Sequence, residues 1–120
     1  MKRDKLDALW SQLVRMRAKW CCEFDGKYFG KSRGLQAAHC FSRGRKSTRY
    51  HPDCGTSLCT FHHYYLDGNP ILKEQFFRKR LGDKKYEALK KLADKPFKLS
   101  QEDRVKIEAD LRNKIETLEE

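Results

Sequence analysis

Residues Leu35–His63 read LQAAHCFSRGRKSTRYHPDCGTSLCTFHH, and this stretch decides the fold. Leu35 to Phe41 is short, apolar and bounded by glycine and Ser42, which fits a strand with His39 near its end. Ser42 to Arg49 (SRGRKSTR) is a basic loop, and His51-Pro52-Asp53 makes a turn. Thr56-Ser57-Leu58 forms a second short strand, and a helix opens near Cys59. A histidine on a strand end therefore faces a helix that begins Cys59-x-x-His62-His63.

Working outward, residues 3–20 suit a helix, with Leu6, Leu9, Trp10, Leu13, Val14 and Arg17 at helical spacing and basic residues opposite. Gly26, Gly30 and Gly34 punctuate a turn-rich stretch around Tyr28 and Phe29 that reads as a hairpin. Downstream, Asn69-Pro70 is an N-cap followed by proline at the first helical position. The helix it opens carries Ile71, Leu72, Phe76, Phe77 and Leu81 and ends at Gly82. Asp83 caps another, with Tyr86, Leu89 and Leu92 inward, running to about Asp94. Ser100 and Asp103 form a capping-box pattern that starts a last helix to Glu119, with Ile107, Leu111, Ile115 and Leu118 on one stripe. That stripe is expected to close the core, with a homodimer seam as the alternative. The expectation is one α+β domain over 1–120: an N-terminal helix (1–20), a zinc-stapled core (21–68) and a helical extension (69–120).

The 120 residues hold 27 Lys and Arg against 17 Asp and Glu, a formal charge of +10. Residues 1–60 carry 13 basic and 5 acidic side chains, residues 61–120 carry 14 and 12. The excess thus lies on the half with the histidine and cysteine motifs, as a phosphate-backbone binder needs. Five cysteines, no signal-peptide pattern and no membrane-length apolar run point to an intracellular chain whose thiols stay reduced and bind metal.

A structural zinc site takes four ligands, usually as two pairs a few residues apart. Cys59-x-x-His62 has that spacing, and Cys22-x-x-Asp25 is the upstream partner with one oxygen in place of a thiolate. The preferred set is Cys22, Asp25, Cys59 and His62, with Cys21, Cys40 and Cys54 in reserve. Hydrolysis of a phosphodiester needs a base to activate water and a divalent cation to neutralise the phosphate. His39 and His63 supply those two parts, His39 as base and His63 as ligand of Mg²⁺ or Mn²⁺. An unperturbed His39 would reach its base form near pH 6.5. Arg43, Arg45, Lys46 and Arg49 should meet DNA phosphates, with no sequence reading. Tyr64, Tyr65, Phe76 and Phe77 are expected to pack the helical half.

The order His39, basic loop, Cys54, Leu58-Cys59-x-x-His62-His63 resembles the HNH endonucleases. LQAAHCFSRG, Thr48-Arg49-Tyr50, Gly68-Asn69 and the tail LGDKKYEAL…KLSQEDRVKIEADLRNKI are more closely similar to the phage NinG/Rap recombination endonucleases, over about residues 20–118. The resemblance implies a ββα-metal core with a zinc knuckle. It implies catalytic roles for His39 as general base, His63 as cation ligand and Cys54 in the slot of the family's asparagine. Ala38 stands where many HNH enzymes place a further metal ligand, so the cation is expected either to lean on His63 with waters and phosphate or to recruit Asp53 or His51. The implied activity is metal-dependent DNA cleavage, on recombination intermediates, in the cytoplasm of a bacterial or phage-infected cell. The alternatives are a non-catalytic zinc-stapled DNA-binding module and a zinc-held protein-interaction domain.

Overall fold

The first helix starts where its capping residues dictate. In the computed structural model, which describes residues 2–120, the Asp4 side chain accepts from the Asp7 N–H and the Asp7 carboxylate accepts from the Asp4 N–H. This reciprocal box satisfies two amide donors that a helix start otherwise leaves unpaired. Helix α1 then runs Lys5–Arg17 and buries Leu6, Leu9, Trp10, Leu13 and Val14. Arg17, expected on the apolar stripe, instead donates to the carbonyls of Pro52 and Gly55, each at 3.1 Å.

Beyond α1 the chain reverses through two non-glycine residues in the left-handed region, Lys19 (φ 56°) and Trp20 (φ 62°). Such a conformation costs roughly 1–2 kcal/mol per residue. Backbone bonds to Met16 and Arg15 and burial of the Trp20 ring against a hydrophobic cluster offset it. The stretch read as a hairpin is a knuckle instead. Among the described residues only Cys21 and Tyr28 bridge here, through Cys22 N–H to the Lys27 carbonyl and Phe29 N–H to the Trp20 carbonyl, while Gly26 N–H closes a tight turn on the Cys22 carbonyl. Gly26 sits at φ +79°, where a side chain would be strained.

Strands β1 (Leu35–His39) and β2 (Gly55–Cys59) pair antiparallel, Leu35 opposite Cys59 and His39 opposite Gly55. A 3₁₀ turn, Pro52–Cys54, replaces the expected simple turn and feeds β2 directly. Cys59 caps helix α2 (Thr60–Asp67), and α3 follows over Pro70–Leu81. Asn69 does not cap α3; its amide donates back to the Tyr65 carbonyl, and proline alone sets the start. Of the five apolar residues that α3 carries, only Phe77 is fully buried, while Ile71 is 75% exposed. Helix α3 packs along α2 and α4 by one edge and lacks a partner for the rest of its stripe.

Gly82, at φ +85°, turns the corner into α4 (Asp83–Asp94), which buries Tyr86 and Leu89. Asp83 is thus the first helical residue and makes no capping bond. The Ser100–Asp103 capping box forms as expected and opens α5 (Gln101–Glu119). Helix α5 returns to α1: Leu111 and Ile115 join Leu6, Trp10, Val14 and Tyr50 in one cluster, and Arg104 bonds Asp4 at 3.0 Å. Core closure is therefore intramolecular along this stripe, although Leu118 stays 46% exposed. A second cluster (Cys22, Leu35, Ala38, Leu58, Cys59, Leu66) lies under α2, so the fold is α+β with a two-stranded sheet flanked by helices. Among the described residues, no helix is long and apolar enough to cross a membrane.

Candidate functional site

Two groups of chemistry-bearing side chains meet in the fold. The first is the knuckle. The ligand atoms of Cys22, Asp25, Cys59 and His62 all lie within 4.8 Å of one another. His62 Nδ1 is 3.2 Å from Cys59 Sγ, 3.7 Å from Cys22 Sγ and 3.5 Å from an Asp25 carboxylate oxygen. Tetrahedral zinc with bonds of about 2.0–2.3 Å has donor–donor edges of roughly 3.3–3.8 Å, so these spacings fit one ion. This donor set could hold a metal. The local sequence explains the geometry. The knuckle turn points amide hydrogens of Phe24 and Asp25 at the Cys22 sulfur, which favours its thiolate, and the His62 N–H points at Cys59 Sγ. Burial acts the other way on Cys22, raising its pKa, a cost that metal binding relieves. Phe24 stacks on the His62 ring at 4.2 Å and fixes its tilt.

The reserve cysteines lie elsewhere. Cys21 Sγ turns to the Lys19 carbonyl. Cys40 and Cys54 lie just past the other end of the sheet, beyond the His39–Gly55 pair. Burial, then the neighbouring Cys54, pushes the Cys40 thiol up to about 12. Cys54 is fully buried and works through its backbone: its carbonyl accepts from Cys40 and its N–H donates to His51.

The second chemistry is a cavity of about 310 Å³ that brings together His39 and His63, with Arg3, Arg43, Asp67 and Lys73 on its walls. The ring of His39 stacks on Trp10 at 4.0 Å, nearly parallel. Trp10 is itself set by two contacts. Its indole N–H donates to the His51 carbonyl, and its ring lies against Gly55, where an added Cβ would come within 2.5 Å of Trp10 Cζ2. His39 Nε2 is 3.0 Å from the Arg49 carbonyl. A carbonyl only accepts, so Nε2 carries the hydrogen and Nδ1 keeps the lone pair. Burial is the main influence on this ring and lowers its pKa to about 4, with Arg43 and Arg49 opposing the charged form further and the Arg49 carbonyl and Asp7 resisting. His39 is thus a neutral base across the physiological range, and the expected transition near pH 6.5 is displaced by desolvation.

His63 Nδ1 meets Gln36 Oε1 at 2.6 Å, which leaves Nε2 as the atom with a free lone pair. That atom faces an Asp67 carboxylate oxygen at 3.4 Å, an arrangement that a shared cation would satisfy. The other Asp67 oxygen is held by Lys73 at 2.9 Å. His51 and Asp53, the alternative helpers, are not on the cavity wall. His51 accepts from the Asp53 N–H, and Asp53 lies 3.6 Å from Lys85.

The basic loop is less available than its composition implies. Arg49 is buried and bonds Asp7 twice, at 3.0 and 2.6 Å, so it is a structural residue and not a phosphate contact. Arg45 pairs with Asp94 at 2.8 Å. Arg43 reaches the cavity but shares Asp7 at 3.3 Å. Lys46 alone of the four is exposed with no carboxylate partner among the described residues. Tyr64 and Tyr65, expected to pack, are 74% and 40% exposed, because α2 buries only Leu66.

Several cavity residues were not legible beforehand. Asp67 and Lys73 lie on separate helices, and Gln36 is one ordinary polar position on a strand. Asp7 had a signal, the Asp-x-x-Asp capping pattern ahead of an apolar run, but its burial with Arg49 required the fold. Compared with protein-family models, curated protein sequences and solved structures, the chain matches none.

Proposed function

We propose that this protein is a metal-dependent DNA endonuclease of the HNH class, with a structural zinc at Cys22, Asp25, Cys59 and His62. The observation that carries this reading is the shared cavity, where the free Nδ1 of His39 and the free Nε2 of His63 are walled by Arg3, Arg43 and Lys73. The likeness to HNH and NinG/Rap enzymes supports the reaction class and the preference for recombination intermediates. It also supports a bacterial or phage-infected cell as the setting.

In this reading His39 Nδ1 takes the proton from the attacking water, while the Arg49 carbonyl keeps the other nitrogen protonated and the ring oriented. Trp10 and Gly55 fix the plane in which that lone pair points. His63 and Asp67 would hold Mg²⁺ or Mn²⁺, which supplies charge neutralisation at the scissile phosphate. Arg43 and Arg3 attract the phosphodiester into the cavity. Cys54 holds the loop through its backbone, in place of the family's asparagine. A non-catalytic DNA-binding module is the second reading, and the Lys73–Asp67 contact favours it, because an ammonium already neutralises one proposed ligand.

Supercoiled plasmid incubated with Mn²⁺ or Mg²⁺ should be cut by the wild type and left intact by His39→Ala, with DNA binding retained in both. His63→Ala should recover part of its activity at higher cation concentration. Absence of metal-dependent cleavage of supercoiled, linear or four-way-junction DNA would leave the binding module standing.

A further inference from the structure

Five cations gather around the zinc knuckle with no carboxylate to meet them. Lys19, Lys27, Lys31 and Arg33 are exposed, and Arg15 lies one turn from the end of α1. No ion pair joins any of the five to an acidic side chain among the described residues. This differs from the 43–49 loop, where three of four cations are paired. The two acidic residues of the knuckle are already engaged. Glu23 bonds Arg80, Thr56 and the Ser57 N–H, and Asp25 belongs to the metal cluster.

The cations are also held close together. Arg15 and Lys31 each lie 5.3 Å from the centroid of the Trp20 ring, and Lys27 lies 5.4 Å from that of Phe29. Trp20 and Phe29 are themselves joined by a backbone hydrogen bond. Two aromatic faces therefore fix three side chains that would otherwise spread apart in solvent. Burial, and then the charge of Arg3, lower the pKa of Arg15. Crowded like charges without a counterion form a site that an extended anion relieves.

The patch is continuous with the cavity. Arg15 Nε donates to the Ser11 carbonyl, and Ser11 lines the cavity beside Arg3 and His39. The rail thus runs from the cavity mouth along α1 to Trp20 and the knuckle.

We propose that this rail, made of Arg15, Lys27 and Lys31 on the Trp20–Phe29 platform with Lys19 and Arg33 flanking it, is the main docking surface for the phosphate backbone of DNA. This deepens the nuclease reading by assigning the binding face to the knuckle in place of the 43–49 loop. The surface recognises charge and spacing, so it carries no sequence preference.

The test uses full-length protein with zinc bound, in a His39→Ala background so that the probe survives, and a short fluorescein-labelled DNA duplex. The Lys27→Ala/Lys31→Ala/Arg33→Ala variant should lower the slope of log K against log salt by about two to three units, since each lost contact removes roughly 0.9. The Arg45→Ala/Lys46→Ala variant should change it by about one unit or less. Zinc content and Tm should match the parent in both, because the altered side chains are exposed. An unchanged slope in the knuckle variant, or a larger change in the loop variant, overturns the proposal. So does tight binding to phosphatidylserine vesicles with none to DNA, which would make the patch a membrane contact. The outcome is independent of cleavage: a protein that never cuts DNA can still show the slope change, and one that cuts can fail to show it.

Discussion

The knuckle and the histidine cavity make an instructive pair. The knuckle's four donors come from two short segments, each closed by its own turn: Gly26 N–H to the Cys22 carbonyl in one, Cys59 capping α2 in the other. The cavity draws on α1, β1, the 40s loop, α2 and α3, and its central histidine is oriented by a carbonyl ten residues away. Local spacing builds the first site, whereas the second exists only when five elements have docked. Changes at the knuckle should therefore act on folding as a whole, and changes at the cavity should act on orientation and charge first.

The largest effect is expected from the metal cluster. If zinc is bound there, its removal by a strong chelator, or Cys59→Ser, should lower stability by several kcal/mol, because binding free energy of a structural zinc is folding free energy. Calorimetry with and without chelator measures this, alongside metal analysis expected to find about one zinc per chain. A melt insensitive to chelator would dissolve the contrast, leaving the knuckle a hydrogen-bonded cluster of thiols, imidazole and carboxylate.

Next comes Asp7→Ala. It strands the buried Arg49 guanidinium, and breaking a buried pair by removing one partner costs about 3–5 kcal/mol. Denaturant unfolding gives the loss. The cavity should be affected more than the knuckle, because Arg49 supplies the His39 acceptor; zinc content per folded molecule should stay at the parental value. Loss of zinc from the folded variant would show that the two sites are not independent.

The smallest effect is the acid dependence of His39. Its folded pKa, about 4, lies below the unfolded value of about 6.5, so the fold prefers the neutral ring. The sign follows: stability is complete above pH 6.5, falls as pH drops from 6.5 to 4, and is constant with respect to this group below that. The span amounts to about 3 kcal/mol. The charges around the ring are Arg3 ahead of α1, Asp7 from α1, Arg43 and Arg49 from the loop, His63 and Asp67 from α2 and Lys73 from α3. His39→Asn should remove this part of the pH dependence when both proteins are unfolded in urea at pH 4 to 7. Identical curves for the two proteins would mean the ring is solvated and the cavity open.

Elements whose signal lies within a few residues were legible. Pro70 and Gly82 bracket α3, Ser100 and Asp103 start α5, and a short apolar run bounded by Gly34 and Ser42 marks β1, because capping and turn chemistry need no distant partner. The four donors were legible for the same reason. Burial along α3 was not: Ile71 and Leu72 have helical spacing but no neighbour to cover them. The basic loop misled because composition records a charge and not its partner, and Asp7 and Asp94 supply partners from 36 and 49 residues away.

The sequence by itself therefore determined the order of the main elements and the four donors that meet at the knuckle. Only the tertiary structure decided which cations remain unpaired, which nitrogen of His39 is free and that Lys73 stands beside Asp67, itself one helical turn from His63. The reason is range. Caps, turns and knuckles act over one to four residues, while ion pairing, desolvation and cavity walls depend on segments that meet only after the chain has folded.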